Sequence, residues 1–162
     1  MPLAQTRTSD NSPVRIRTAR MSDLDALVAL ENRSFTTDRM NRRQWRRHLA
    51  SDSARVLVAE LAGRIAGAAV LFFRTRSAIA RLYSLAVDAR LRGFGIGESL
   101  LAACESQTLA RKCLGLRLEV RTANNAAQQL YLKRGYRLIG ELSDYYEDGA
   151  AALRLEKSLT AG

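Results

Sequence analysis

The sequence contains few of the residues from which metal centres and redox sites are built. Its 162 residues include one histidine, His48, and two cysteines, Cys104 and Cys113. One histidine does not supply a zinc site or a Ser-His-Asp triad. The two cysteines fall on different turns of one helical pattern, and their spacing matches no zinc or redox motif. We therefore predict no metal site, two buried thiols and an exposed histidine.

Long hydrophobic runs are also missing. No apolar run approaches the about 20 residues of a membrane span, and residues 1–13 lack the apolar segment of a secretory signal. The expectation is a cytoplasmic protein without membrane contacts. It would have a disordered tail over residues 1–13 and a single domain over residues 14–159.

Acidic residues are outnumbered, with 16 Asp+Glu against 26 Lys+Arg and a formal net charge of +10. Such a charge favours acidic partners, including nucleotide cofactors, acidic peptides, ribosomal surfaces and nucleic acid, without choosing among them. Part of the excess falls in a predicted second helix, at Arg39, Arg42, Arg43, Arg46 and Arg47. No aromatic or base-reading motif accompanies these arginines, so a solvated face is the favoured interpretation and nucleic acid is not an expected partner.

The most informative stretch is residues 81–104. An apolar run from Leu82 to Val87 predicts a buried strand, a loop rich in arginine and glycine follows, and a helical pattern begins at Glu98. The start of a helix has unpaired N–H groups and a partial positive charge, so it binds phosphate oxygens. Glycines in the loop allow close approach of the backbone. The stretch therefore predicts a phosphate or pyrophosphate site, unless the glycines serve only a strand-to-helix turn.

Two well-known phosphate loops do not match this stretch. The dinucleotide fingerprint Gly-x-Gly-x-x-Gly would need glycine where Glu98 stands, and the nucleotide-triphosphate loop would need a Gly-Lys pair, which the sequence lacks. The remaining pattern, Arg92-x-x-Gly95-x-Gly97, resembles the pyrophosphate loop of the GNAT superfamily, the acetyl-CoA-dependent N-acetyltransferases.

The order of predicted elements is β-α-α-β-β-β-α-β-α-β-β. Because a helix separates the strand 82–87 from the strand 116–121, these two strands are predicted to be parallel neighbours. The mixed order predicts an α/β (α+β) fold in which about four helices flank a mostly antiparallel sheet of about seven strands. Ser22, Asp38 and Asn124 are predicted to cap the first, second and fourth helices, and Gly67 to mark a bulge.

Two further segments carry the resemblance. Residues 118–136 and the run Tyr145-Tyr146-Glu-Asp-Gly149 resemble the ribosomal-protein-alanine N-acetyltransferase branch of GNAT, and the likeness spans about residues 14–157. It implies an enzyme that moves an acetyl group from acetyl-CoA, without a metal, to a protein or peptide N-terminal amine. The alternatives are a small amine or a lysine side chain as acceptor, and a non-catalytic acyl-CoA sensor or nucleic-acid-associated module.

The resemblance also implies a role for each matching residue. Backbone groups of Leu85, Ala86 and Val87 would hold the pantetheine arm and the thioester. The pyrophosphate would be cradled by the loop residues Arg92, Gly93, Phe94, Gly95, Ile96 and Gly97, and Asn124 would contact the far arm of the cofactor. Glu119 would be the general base and Tyr131 the general acid. Phe35, Tyr145 and Tyr146 would bind the acceptor substrate.

The implied chemistry suits these residue types. An α-amine has a pKa of about 8 and must lose a proton before it attacks a thioester, and the departing thiolate needs a proton that a tyrosine can donate. Each assignment has an alternative. Glu119 could be a surface carboxylate paired with Arg117 and Arg121, which would lower its basicity, and Tyr131 could be a core residue.

Two departures from the branch affect the acceptor. Asp148-Gly149 is followed by three alanines, where an acidic residue is frequent in the family. The loop after the first helix reads Phe35-Thr36-Thr37-Asp38, where the branch often has Pro-Trp. Both segments lie where the acceptor would bind. The reaction class and the cofactor are therefore predicted, but a ribosomal-protein substrate is not.

Overall fold

The computed structural model describes residues 13–159, so residues 1–12, which make up nearly all of the predicted tail, and residues 160–162 lie outside the description. The helices are α1 (Leu24–Ser34), α2 (Arg42–Ala50), α3 (Ile96–Ala110) and α4 (Asn125–Lys133). The strands are β1 (Arg15–Thr18), β2 (Ala54–Leu61), β3 (Arg64–Phe72), β4 (Ile79–Val87), β5 (Gly115–Arg121), β6 (Arg137–Leu142) and β7 (Ala152–Ser158).

All seven strands form one sheet in the order β1-β2-β3-β4-β5-β7-β6. Neighbouring strands are antiparallel except β4 and β5, which are parallel. The predicted fold class, element order and parallel pair are confirmed. Within residues 13–159, no helix has the length and apolar character needed to span a membrane.

Strands β2 and β3 are buried on both faces, and their alternate residues enter two separate cores. Val58 and Val70 pack with Leu27, Leu30 and Trp45 of α1 and α2. The other core contains residues of the same strands together with α3: Leu57, Ala59, Ala69, Leu71, Leu100, Leu101 and Cys104. Since full burial of one such aliphatic side chain is worth roughly 1.5–3 kcal/mol, these cores hold the helices in place on both faces of the sheet.

Gly67 allows α3 to pack closely against the sheet. A Cβ atom at this position would lie 2.9 Å from the carbonyl oxygen of Ala86 and 3.0 Å from Cδ1 of Leu100. The register between β2 and β3 shifts between Ala59 and Glu60, next to Gly67, so the predicted bulge is confirmed.

Two predicted helix caps are wrong. The N-cap residue of α1 is Asp23 rather than Ser22, and its carboxylate makes no cap bond to α1 but accepts from the amide of Arg20 (2.7 Å) in the preceding turn. At α2, the cap is Asn41 rather than Asp38, because the side chain of Asn41 accepts from the amide of Gln44 (2.8 Å). The predicted Asn124 cap of α4 is confirmed by its 3.1 Å bond from the amide of Ala127.

Candidate active site

The site is created where the two parallel strands separate. β4 and β5 pair only over Ile79–Leu82 and Gly115–Leu118, although each strand continues beyond these residues. On the other edge of β4, Val70 faces Ser84 but Leu71 faces Leu82, so Tyr83 is the extra residue of a bulge. Residues 83–87 therefore have no partner strand on the β5 side in the described part of the chain, and their backbone groups border an opening.

A cavity of about 690 Å³ fills this opening. Its lining includes ten of the 15 predicted site residues: Phe35, Leu85, Ala86, Val87, Arg92, Glu119, Asn124, Tyr131, Tyr145 and Tyr146. The loop residues 93–97 are not part of the lining and follow directly after Arg92. The fold thus brings the predicted cofactor, catalytic and substrate residues to one space.

The glycine loop is anchored by Asp88 at the end of β4. The Asp88 carboxylate accepts hydrogen bonds from the amide and the guanidinium of Arg90, and it is paired with Arg33 at 3.3 Å. The Arg90 guanidinium lowers the pKa of Asp88 to about 2. Because the charge of Arg90 is engaged by Asp88, Arg92 is the arginine of this loop that faces the cavity.

The loop residues contribute mainly backbone. Gly93 and Gly95 adopt the left-handed conformation, with φ of 88° and 77°, which side-chain-bearing residues rarely adopt. Ile96 is fully buried beneath α3, so it can offer only its amide to a ligand, whereas Phe94 is 41% exposed. The first amides of α3 have no carbonyl one turn earlier in the helix, and they remain available for an anion.

Glu119 lies inside the cavity with only 5% of its side chain exposed. The Arg81 guanidinium contacts it at 2.7 Å, that of Arg154 at 3.0 Å, and the Tyr145 hydroxyl at 3.3 Å. The alternative pairing with Arg117 and Arg121 is wrong. Residues on adjacent strands lie closer than next-but-one residues along one strand, and Arg154 stands directly opposite Glu119 on β7.

Tyr131 is both a core residue and a lining residue. Its side chain is buried, and its ring meets that of Tyr136 edge-to-face with centroids 5.7 Å apart. Burial raises the pKa of the Tyr131 hydroxyl above its ordinary value, so this hydroxyl stays protonated at neutral pH. Its hydroxyl makes no hydrogen bond to another residue in the range 13–159.

The end of the cavity that holds the predicted acceptor residues is bounded by two loops that Arg121 connects. Its guanidinium donates to the hydroxyl of Thr37 (2.6 Å) in the α1–α2 loop and to the carboxylate of Asp148 (2.9 Å) in the β6–β7 loop. It also lies 4.2 Å from the ring centroid of Tyr146. Asp38, predicted as a helix cap, instead accepts from the amide of Glu147. These contacts join two segments that are far apart in the sequence.

Sequence reasoning missed several lining residues, among them the charged residues Glu31 and Arg81. Glu31 is 3% exposed, lines the cavity and accepts a 2.8 Å bond from the amide of Met40. Burial raises the pKa of its carboxyl group. It follows Leu27 and Leu30 on the apolar stripe of α1, and a carboxylate in that position was the available signal. Arg81 had no comparable signal, because its partners are remote in the sequence.

His48 was predicted to be exposed, and this is wrong. The imidazole is half-buried, and its ring centroid lies 5.0 Å from that of Phe72 and 6.2 Å from that of Tyr83. Burial, followed by the positive charge of Arg47, lowers the pKa of His48. Both predicted buried thiols are confirmed. Across the described part of the chain, no cluster of three or more His, Cys, Asp and Glu residues is suited to hold a metal ion.

Comparisons with known proteins agree with this architecture. The profile of the Acetyltransferase (GNAT) domain matches residues 18–159. The N-alpha-acetyltransferase RimI of Mycobacterium tuberculosis is 31% identical over 154 residues, which cover 93% of this chain and 96% of that protein.

Two solved structures share the fold. The ribosomal-protein-S18-alanine N-acetyltransferase from Escherichia coli superposes with a TM-score of 0.82 at 23% identity, covering 92% of this chain and 96% of that one. The PaiA N-acetyltransferase from Thermoplasma acidophilum, solved in complex with coenzyme A, superposes with a TM-score of 0.76 at 18% identity, covering 90% and 98%. The matched profile, which spans most of the chain, shows that this protein belongs to the GNAT family of N-acetyltransferases.

Proposed function

We propose that this protein transfers the acetyl group of acetyl-CoA to the N-terminal α-amine of a protein or peptide. The observation that carries the proposal is that a single cavity joins the unpaired edge of β4 and Arg92 to Glu119, Tyr131 and the Tyr145–Tyr146 pair. One end of the cavity suits a thioester with a phosphate-bearing arm, and the other end suits a polypeptide terminus.

The residues present fit coenzyme A. Leu85, Ala86 and Val87 would offer backbone groups to its pantetheine arm, because this part of β4 lacks a partner strand on one side within residues 13–159. The loop 92–97 would hold the pyrophosphate through Arg92 and the first amides of α3. Asn124 lines the cavity and would contact the far arm of the cofactor. The bound cofactor would supply an activated acetyl thioester, and a structural neighbour of this chain binds coenzyme A.

Glu119 would receive the proton of the acceptor ammonium, directly or through a water molecule. Arg81 and Arg154 compensate the charge of this nearly buried carboxylate, and they hold it in one orientation toward the cavity. The Tyr145 hydroxyl bonds both Arg81 (2.6 Å) and Glu119 (3.3 Å), which would couple the acceptor-binding residues to the base.

Tyr131 would protonate the departing thiolate. Its hydroxyl stays protonated because burial raises its pKa, and the hydroxyl has no acceptor among the described residues, so it remains free to donate to a ligand. The backbone amides of Leu85 to Val87 would donate hydrogen bonds where negative charge develops on the acetyl oxygen. No covalent enzyme intermediate is needed in this scheme.

A protein N-terminus is favoured over a small amine as acceptor. Phe35, Tyr145 and Tyr146 line the acceptor end, and aromatic side chains supply contact area for a polypeptide. The RimI relative is named an N-alpha-acetyltransferase, and a structural neighbour is named for alanine acetylation of a ribosomal protein. The identity of the acceptor, a cytoplasmic location and the lack of membrane and nucleic-acid partners stay predictions.

Calorimetric titration with acetyl-CoA, followed by thiol release over N-terminal peptides, small amines and lysine side chains, tests the proposal. We expect saturable binding of acetyl-CoA and thiol release with the peptides. If thiol is released only with small amines or only with lysine side chains, the acceptor is of that class and not a protein N-terminus. Binding without any turnover would favour an acyl-CoA sensor, and no binding would contradict the cofactor assignment of the loop.

A further inference from the structure

A second, more open groove of about 390 Å³ lies beside α2. It is lined by Asn41, Arg43, Gln44 and Arg47. Arg43 and Arg47 are one helical turn apart, so their guanidinium groups project along the same side of the helix. Like charges at this spacing destabilise a helix slightly, and the cost is removed when an anion lies between them. We call this feature the α2 groove.

The α2 groove adjoins the cavity along the chain. Met40 lines the cavity, and the next residue, Asn41, lines the groove. Asn41, Gln44 and His48 recur at three- and four-residue intervals and therefore share one side of α2. The ring of His48 meets that of Tyr83 edge-to-face with centroids 6.2 Å apart, and Tyr83 lines the cavity, so this side of α2 is the one that faces the cavity.

The arginines of the groove lack intramolecular partners. Among residues 13–159, neither Arg43 nor Arg47 forms an ion pair, and both are exposed. Of the other three arginines predicted for this region, Arg46 is also exposed and unpaired within residues 13–159 but does not line the groove, and the remaining two have partners. Arg42 pairs with Asp25 at 2.7 Å, and Arg39 donates to backbone carbonyls of Asn32 and Phe35. The unpaired positive charge beside the cavity is therefore concentrated at Arg43 and Arg47.

We propose that the α2 groove binds acidic side chains of the acceptor polypeptide that follow its N-terminal residue. This inference rests on the proposed function, because it assumes that a polypeptide terminus enters the cavity. An extended chain advances about 3.3 Å per residue, so residues a few positions beyond the terminus leave the cavity at its rim. Glutamate or aspartate at those positions meets two arginines, whereas lysine or arginine meets a like charge. The groove thus selects acidic acceptors.

An acidic peptide is favoured over nucleic acid as occupant. The groove has no exposed aromatic side chain on which a base could stack, since Asn41, Arg43, Gln44 and Arg47 are its lining residues. The rings of His48, Phe72 and Tyr83 pack against one another outside the groove lining, and Tyr83, which is 41% exposed, lines the cavity instead.

The test uses three acceptor peptides that differ only at about the third to sixth positions, which carry glutamate, glutamine or lysine. With saturating acetyl-CoA and low salt, we expect the KM of the glutamate peptide to be about three- to tenfold below that of the glutamine peptide, and the KM of the lysine peptide to be higher. The difference should shrink as ionic strength rises, because salt screens exposed charges.

Charge-neutralising variants on the two sides of α2 provide matched controls. In the double variant Arg43→Gln/Arg47→Gln, the preference for the glutamate peptide should disappear while the kcat for the glutamine peptide holds. Arg46→Gln removes an exposed arginine of the same helix that does not line the groove, so it should keep the preference.

The outcomes separate this inference from the proposed function. Equal KM values for the three peptides, with normal turnover, would overturn the groove assignment and leave N-terminal transfer intact. Loss of the preference in Arg46→Gln as well would also overturn it, since the effect would then be one of net charge. A single-stranded oligonucleotide that binds the groove, without any advantage for the acidic peptide, would assign it to nucleic acid instead. No turnover with any peptide would contradict the proposed function itself.

Discussion

The cofactor half and the acceptor half of the cavity are built in different ways. The proposed cofactor half comes mainly from one stretch of the chain, in which residues 82–87 and Arg92 line the cavity and the loop 93–97 follows, and this stretch would offer mainly backbone groups. The acceptor half is assembled from side chains of remote segments: the α1–α2 loop, β4, β5, β7 and the β6–β7 loop, joined by Arg81, Arg121 and Arg154. A backbone site needs only the right local conformation, whereas a side-chain site depends on what the fold places nearby.

The difference has energetic consequences. The glycine loop is set by backbone conformation, which salt does not alter. The contacts that join the acceptor loops involve partly exposed charges, such as the Arg121–Asp148 pair with exposed side-chain fractions of 31% and 45%. Such pairs are weak and are screened by salt. We therefore expect salt to loosen the contacts that join the acceptor loops while the backbone conformation of the glycine loop stays the same.

Tyr131 lies between the two halves, and removal of its hydroxyl should lower kcat more than any other substitution proposed here. Tyr131→Phe keeps the ring packed against Tyr136 but removes the proton donor, so we expect kcat to fall about a hundredfold. The dissociation constant for acetyl-CoA, measured by calorimetry, should stay unchanged. A fully active variant would show that Tyr131 is only a core residue.

Substitutions of Glu119 and Glu31, the two carboxylates of the acceptor half, should lower kcat by different amounts. Glu119→Gln removes the proposed base, and we expect kcat to fall about ten- to a hundredfold with unchanged acetyl-CoA affinity. Thermal unfolding serves as a folding control, because Arg81 and Arg154 lose their partner. Glu31→Gln still accepts the hydrogen bond from Met40 and should change kcat less.

If Glu31→Gln lowered kcat more than Glu119→Gln does, Glu31 would be assigned as the general base. Burial raises the pKa of Glu31, so as a base it would place the acidic limb of the pH–kcat profile above the usual range of a carboxylate. If Glu31→Gln removes that limb and Glu119→Gln does not, Glu31 is the base and Glu119 a positioning residue.

A substitution in the glycine loop should affect the cofactor half alone. Gly95→Ala forces a side chain into the left-handed region at φ 77°, at a cost of roughly 1–2 kcal/mol. We expect acetyl-CoA to bind up to about tenfold more weakly, with an unchanged KM for the acceptor peptide. Gly63→Ala, which strains a β2–β3 turn outside the cavity, is the control.

A substitution at Arg121 should affect the acceptor half alone. Arg121→Gln loses the bonds to Thr37 and Asp148, and we expect the KM of the acceptor peptide to rise about fivefold while acetyl-CoA affinity holds. Arg117→Gln, on the same strand but paired with Glu156 outside the cavity lining, should leave both unchanged. Equal effects on both ligands would contradict the division into two halves.

The smallest expected effect is on stability, and it comes from Asp88, which anchors the glycine loop. Because the pKa of folded Asp88 is about 2 and its ordinary value is 3.8, its ionised form stabilises the fold above about pH 4, and this contribution is lost as the pH falls through 2. The shift corresponds to about 2 kcal/mol, reduced to about 1 kcal/mol because Arg90 is exposed.

Asp88→Asn should therefore lower the free energy of unfolding by about 1 kcal/mol at pH 7, and the difference should disappear near pH 2. Denaturant unfolding at several pH values measures it. Asp25→Asn, at an exposed ion pair with Arg42, should change stability by only a few tenths of a kcal/mol. A pH-independent loss at Asp88 would assign the effect to packing.

Helix caps illustrate the limit of local prediction. Asn124 was recognised because its cap bond reaches an amide only three residues ahead. Asp38 has the residue type of a cap, but tertiary contacts with Arg121 and the amide of Glu147 occupy its carboxylate, and Asn41 takes the position instead. A local pattern predicts correctly where no distant partner competes for the same side chain.

The sequence by itself determined the fold class, the parallel strand pair and the glycine loop between a strand and a helix. These depend on apolar periodicity and on backbone conformations that glycine permits, and both are encoded over short distances along the chain. Only the tertiary structure decided that Arg81 and Arg154 hold Glu119, that Glu31 lines the cavity and that Arg121 joins two loops. The physical reason is that an ion pair depends on which side chains the sheet places within a few ångströms, and strand register, not sequence separation, sets those distances.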